Sequence, residues 1–343
     1  MAKPPGPIII SLEAKILTLE EQQILHHKNI GGVILFTRNF ENKLQITQLI
    51  KSIKEINPDI LIMVDHEGGR VWRFKSEEFF NPGPMQVLGS LYHVDSPHTA
   101  IKTAFQHGRQ IAADLLACGI DLNLAPVLDL DHDGISSVIG ERAIHSDPTI
   151  VALLAESFIK GQLSVGMQSV GKHFPGHGAI SADTHTEIAI DPRDYRLISE
   201  QDLKPFQLLI EQNMLPAIMP AHVIYPQVDP NPTCFSKTWL QQVLRKDLQF
   251  KGTIISDCLS MQAAQEFIQH QTSDPKEKNV YLANAALQAG CDLIIFNKLY
   301  GNNLLYLLDN ISWEPSPEHN QRIDTLKKTT NYAPNKTTIR NFI

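Results

Sequence analysis

The chain has 343 residues, of which 43% are hydrophobic, enough to bury one large core or two smaller ones. Its formal net charge of −7 and the scatter of its basic residues offer no surface for a polyanion, which argues against nucleic acid as a partner. The stretch from Met1 to Pro7 is short and Pro-rich, and the apolar run Ile8-Ile9-Ile10 is too brief for a signal-peptide core or a membrane span. A cytoplasmic protein with no membrane partner is therefore expected.

Along the chain, apolar runs of strand length alternate with segments of helical period. This βαβα rhythm argues for a parallel sheet covered by helices. Strands are expected at 7–11, 32–36, 60–65, 122–126, 169–174, 217–223, 253–257 and 292–297. Eight is the number that closes a (β/α)8 TIM-type barrel. Thr18 and Glu21 form a T-x-x-E capping box ahead of an apolar-periodic run. Ser96-Pro97 supplies a cap and a proline at the first helical position, and that helix should stop near Gly119. After Trp313 the chain turns polar and carries Pro315, Pro317 and Pro334, so at most one further helix and a loose tail are expected. With no internal repeat or low-complexity linker, the fold class expected is α/β. It would be a single-domain barrel over residues 1–310, with a polar appendage, partly helical or irregular, over 311–343. Cys118, Cys234, Cys258 and Cys291 form no CxxC pair and sit in mostly apolar segments, which reads as reduced structural thiols.

In a parallel barrel the working face lies at the C-terminal ends of the strands. Reading each strand to its end gives Asp65 with Glu67, Asp129 beyond Pro126, His173, His222, Asp257 and Asn297. Polar and ionisable side chains gathered at one edge suit a shared pocket. Asp257 ends the strand Gly252-Thr253-Ile254-Ile255-Ser256-Asp257, so a buried apolar strand delivers one carboxylate to the barrel mouth. Such a carboxylate can serve as a nucleophile, and the same position suits a helix N-cap, so the strand alone leaves both roles open. His173 and His177, four apart, suggest a zinc helix, but Pro175 and Gly176 between them forbid helical geometry.

The stretch from Val243 to Asp257, with Ser260 beyond it, resembles the active-site pattern of family 3 glycoside hydrolases, in which the Asp after Ser or Thr is the nucleophile. Lys172-His173-Phe174-Pro175-Gly176-His177-Gly178, then Asp183-Thr184-His185, together with Ser256 to Met261, resembles the single-domain bacterial β-N-acetylglucosaminidase branch used in cell-wall recycling. The resemblance runs from about Gly6 through Asn297. It implies that His185 is the general acid/base, oriented by Asp183, and that Asp257 forms a glycosyl ester with retention of configuration. It further implies Asp65, Arg73, Arg142, Lys172 and His173 as the residues that hold the sugar, with Arg70 supporting a loop. The implied substrates are small carbohydrates ending in non-reducing β-linked N-acetylglucosamine, among them peptidoglycan fragments in which that sugar precedes 1,6-anhydro-N-acetylmuramic acid. No metal or organic cofactor is implied, and a monomer is the default expectation.

Three positions depart from the family pattern: Cys258 stands where a second Asp is usual, His66 where Gln is common, and Ile144 where Phe is usual. Loss of the neighbouring anion at Cys258 should make Asp257 easier to ionise. Two rival readings are weighed. Fourteen histidines and Asp65-His66-Glu67 prompt a metal-dependent barrel hydrolase, but neither a His-x-His at the first strand nor H-E-x-x-H is present. A sugar-binding sensor without catalysis is disfavoured by the presence of Asp257, Asp183 and His185. A neutral imidazole also repels phosphate less than a carboxylate does, which raises phosphorolysis as an alternative to hydrolysis.

Overall fold

The structure, a computed structural model, describes residues 5–182, 189–268, 272 and 274–327. Eight strands form its central sheet: β1 (Ile8–Ser11), β2 (Ile30–Leu35), β3 (Leu61–Val64), β4 (Leu122–Asn123), β5 (Gln168–Phe174), β6 (Ala217–Pro220), β7 (Thr253–Ile254) and β8 (Ile294–Phe296). Their order is β7-β6-β5-β4-β3-β2-β1-β8, and every neighbouring pair is parallel. Each strand from β2 to β7 thus lies beside its predecessor in the chain, as short helical crossovers require, and β8 pairs with β1. β7 and β8 end this order and meet through one parallel bridge, Ile255 with Leu293, and backbone bonds such as Ser256 N–H to Leu293 O at 2.8 Å. As a ladder the sheet is therefore a parallel half-barrel.

Strand side chains alternate between faces with period two, and this divides the core. Ile9, Ile34, Leu61, Met63, Leu122, Leu124, Val170, Ala217, Met219, Ile255, Leu293 and Ile295 form one buried cluster to which all eight strand segments contribute. Their alternates, such as Ile8, Ile10, Val33, Ile62 and Val64, pack with the helices in a second cluster. Burying a side chain of this size contributes about 1.5–3 kcal/mol relative to leaving it exposed, so both faces of the sheet stabilise it.

Helix starts agree with the sequence signals. Thr18 and Glu21 form the capping box, and Ser96 accepts the Thr99 N–H at the start of Pro97–Leu116. Gly119, at φ +90°, turns the chain just after that helix, where a left-handed residue satisfies the last carbonyls. The helix Lys43–Ile56 buries Ile46, Leu49, Ile50 and Ile53, the three-and-four spacing that makes one apolar face.

Several strands are shorter than expected, and for two of them the local reason is plain. Pro126 lacks an N–H, so the β4 ladder stops at Asn123, although Val127 still bridges Lys172. The run 217–223 breaks at Pro220, and Val223–Tyr225 leaves the main sheet to pair with Ala189–Ile190 and Asp229–Pro232. The polar C-terminal stretch supplies a helix, Pro317–Lys327, whose Ile323 and Leu326 join the inner-face cluster. Arg322 of that helix donates to Asp292 Oδ1 at 2.6 Å, tying it to the start of the last strand.

Candidate active site

The inner-face alternation does not stop where the ladder stops. Continuing it in steps of two leads from Ile34 to Phe36, from Met63 to Asp65 and Glu67, from Val170 to Lys172, from Ile255 to Asp257 and from Ile295 to Asn297. All of these endpoints line one cavity of about 890 Å³ at the C-terminal edge of the sheet. His66, out of phase, turns away and packs among Trp72, Phe74 and Phe79, where burial depresses its pKa to about 3. His173 also reaches the cavity because the β5–β6 register slips between Lys172 and Phe174.

After Glu67 the chain must reverse at once, since His66–Gly68 pairs antiparallel with Val71–Trp72. Gly68 and Gly69 take φ values of +108° and +55°, and a Cβ at Gly68 would stand 2.4 Å from Gly83 O. Only glycine fits both demands. The turn leaves Arg70 to donate to the carbonyls of Ser137, Val138 and Ile139, holding the loop that carries Arg142.

Beneath the cavity lies a compact charge cluster. Lys172 Nζ, 2% exposed, stands 2.6 Å from Asp65 Oδ1 and 2.7 Å from Glu67 Oε1. Arg142 grips Glu67 with two bonds of 2.8 Å, the fork-on-carboxylate geometry that fixes a guanidinium in space. Arg73 Nη2 lies 3.5 Å from Asp65 Oδ2, and its guanidinium stacks on Phe36 at 5.6 Å. Burial alone would raise both carboxyl pKa values, but Lys172 and Arg73 bring Asp65 below its ordinary range and Arg142 and Lys172 bring Glu67 well below. The same partners outweigh burial at Lys172 and Arg142 and keep both cationic. Because three cations interleave with two carboxylates, the cluster offers both hydrogen-bond donors and acceptors to the cavity.

His173 is held by a different carboxylate. Asp129, fully buried, accepts from His173 Nδ1 at 2.7 Å, His173 N at 3.1 Å and His177 N at 2.8 Å. Burial raises its pKa, and His173 with these bonds more than reverses the effect, so Asp129 stays ionised. With Nδ1 committed, Nε2 is the ring nitrogen left to His173 for a ligand. At β7, Asp257 Oδ1 accepts the Cys258 N–H at 2.7 Å, and Cys258 O accepts from His222 Nε2 at 3.1 Å. Burial pushes the Cys258 thiol up to about 11, so this residue is neutral where the family usually has a carboxyl.

Six of the expected site residues, Asp65, Arg73, Arg142, Lys172, His173 and Asp257, therefore line one cavity. Asp183 and His185 lie outside the described residues. Glu67 and Asp129 were legible only as polar strand ends; their work as fixed anionic partners of Arg142, Lys172 and His173 emerges from the packing. Among the described residues no three His, Cys, Asp or Glu side chains assemble in metal-holding geometry, and the motif Asp65-His66-Glu67 is split by the outward turn of His66. No helix among them is long and apolar enough to cross a membrane.

The class this arrangement defines is shared with known proteins. Residues 10–325 match the glycosyl hydrolase family 3 N terminal domain. The beta-hexosaminidase of Nitrosomonas eutropha is 44% identical over 325 residues, covering 94% of this chain and 89% of that protein. That of Bordetella avium is 45% identical over 293 residues, covering 85% and 80%. NagZ from Neisseria gonorrhoeae, solved in complex with N-trifluoroacetyl-D-glucosamine, superposes with a TM-score of 0.86 at 40% identity, covering 96% of this chain and 91% of that one. The chain belongs to glycosyl hydrolase family 3 and is a glycoside hydrolase of the β-N-acetylhexosaminidase type, as the sequence resemblance implied.

Proposed function

We propose that this enzyme removes terminal, non-reducing β-linked N-acetylglucosamine by double displacement. In the first step an Asp257 oxygen attacks C1, the bond from C1 to the leaving oxygen breaks, and His185, oriented by Asp183, donates a proton to that oxygen. In the second, His185 takes a proton from water, the water oxygen bonds to C1, and the ester to Asp257 breaks. Asp65, Lys172, Arg142 and Arg73 hold the hydroxyls of the sugar, with His173 beside them. We further read the sheet as a closed (β/α)8 barrel, because all eight strand segments share one inner cluster and β7 touches β8. The substrates in this reading are peptidoglycan fragments whose N-acetylglucosamine precedes 1,6-anhydro-N-acetylmuramic acid, met by a monomeric enzyme in the cytoplasm without a cofactor.

The observation that carries the reading is that Asp257, brought by the inner face of β7, opens onto the same cavity as the Asp65, Lys172 and Arg142 cluster. The test is proton NMR of the sugar first released from an aryl β-N-acetylglucosaminide, run in phosphate and in non-phosphate buffer. The β-anomer of free N-acetylglucosamine is expected first in both. Initial release of the α-anomer contradicts double displacement, and sugar 1-phosphate replaces hydrolysis by phosphorolysis.

A further inference from the structure

The cations under the cavity are all committed, but one at its mouth is not. Lys298 lines the cavity from an exposed position, and among the described residues its ammonium pairs with no carboxylate, whereas Lys172, Arg73 and Arg142 each lie within 3.5 Å of one. The nearby cations are otherwise engaged. Arg38 gives Nε to Leu12 O and Nη2 to Asn297 Oδ1, and Arg70 gives Nη2 to three carbonyls.

The backbone fixes where Lys298 stands. Its N–H donates to Ser11 Oγ at 3.1 Å, and the N–H of Asn297 before it donates to Cys258 Sγ at 3.3 Å. Lys298 therefore follows directly on a residue bonded to the neighbour of Asp257. Its φ is +59°, in the left-handed region that favours glycine, so a long cationic side chain occupies a place where glycine carries less strain. Around the cavity, the carboxylates Asp65, Glu67 and Asp257 face the cations Lys172, Arg73, Arg142 and the carbonyl-bound Arg70, so Lys298 adds to a positive excess at the rim of a chain whose formal net charge is −7.

We infer that Lys298 is a specificity-determining residue that pairs with a carboxylate on the leaving-group side of the substrate. This rests on the glycosidase reading above. The sugar that becomes bonded to Asp257 is held by the deep cluster, and the part that departs lies toward the mouth, where an unpaired ammonium attracts an anion and leaves a neutral group unaffected.

The experiment compares kcat/KM for a neutral aryl β-N-acetylglucosaminide and for one whose aryl group bears a carboxylate, in the wild type, Lys298→Gly, Lys298→Arg and Lys298→Glu. Glycine removes the charge while suiting the left-handed backbone, and taking the ratio of the two substrates cancels any general change in activity or leaving-group acidity. The carboxylate-to-neutral ratio is expected to fall about 3- to 5-fold in Lys298→Gly, the range of a solvent-exposed ion pair, and further in Lys298→Glu. It should stay near the wild-type value in Lys298→Arg. Added salt should lower the ratio in the wild type and leave it unchanged in Lys298→Gly. A ratio unchanged in Lys298→Gly and Lys298→Glu overturns the inference alone. Failure of the wild type to hydrolyse either substrate overturns the glycosidase reading and this inference with it.

Discussion

Replacing Asp257 with Asn is expected to lower kcat on the order of 10⁴-fold or more while leaving the folded protein intact. Asparagine keeps the shape of the side chain and an Oδ1 that can accept the Cys258 N–H, now bonded at 2.7 Å, so the strand tip loses no structural contact on this account. What it loses is an oxygen able to carry a full negative charge and to form an ester with C1, and without that bond the first half of the reaction has no intermediate to pass through. Stopped and continuous assays of aryl β-N-acetylglucosaminide hydrolysis, beside a thermal melt, measure both halves of the prediction. Turnover within ten-fold of wild type in a folded variant removes Asp257 as nucleophile.

The second large effect is at Lys172. Its ammonium is 2% exposed and bridges Asp65 and Glu67, and the two carboxylates differ in what remains when it is removed. Glu67 keeps both bonds from Arg142, but among the described residues Asp65 keeps only the Arg73 cation, at 3.5 Å. Lys172→Met should therefore strand an undercompensated charge at Asp65 and cost about 3–5 kcal/mol of stability, the usual penalty for removing one partner of a buried pair. Adding Asp65→Asn should recover most of that loss in urea unfolding without recovering kcat/KM, because two of the groups proposed to hold the sugar hydroxyls are then gone. A double variant no more stable than Lys172→Met contradicts the charge account.

The same cluster gives stability a sign in acid. Asp65, Glu67 and Asp129 all have folded pKa values below their ordinary ones, so the unfolded chain binds more protons at low pH. Their contribution is complete above about pH 4.5, the ordinary carboxylate range, and is lost as the pH falls toward the depressed values.

Much of the site could be read from the chain because strand geometry is periodic. Counting in twos from Met63 or Ile255 reaches Asp65 and Asp257 without knowledge of tertiary contacts, and apolar residues before them mark which face is buried. The same count misplaces His173, which reaches the cavity only through the register slip after Lys172. Pairings across the sheet were not legible: Glu67 with Arg142 joins residues 75 apart, and nothing near either one names the other. The C-terminal stretch was expected as a polar appendage with at most one helix and a loose tail, because its composition is polar. Yet two apolar residues, Ile323 and Leu326, three apart on one face, suffice to seat it on the inner cluster, and Arg322 finds a buried carboxylate at Asp292. Such docking depends on the complementary surface, which the helix's own sequence does not describe.

In the proposed reaction a covalent bond forms between the sugar and Asp257. Incubation with a 5-fluoro glycosyl fluoride of the N-acetylglucosamine series, followed by proteolysis and mass mapping, measures this directly. The account predicts a stoichiometric label on the peptide containing Asp257; a label on Asp65 or Glu67 instead would contradict it.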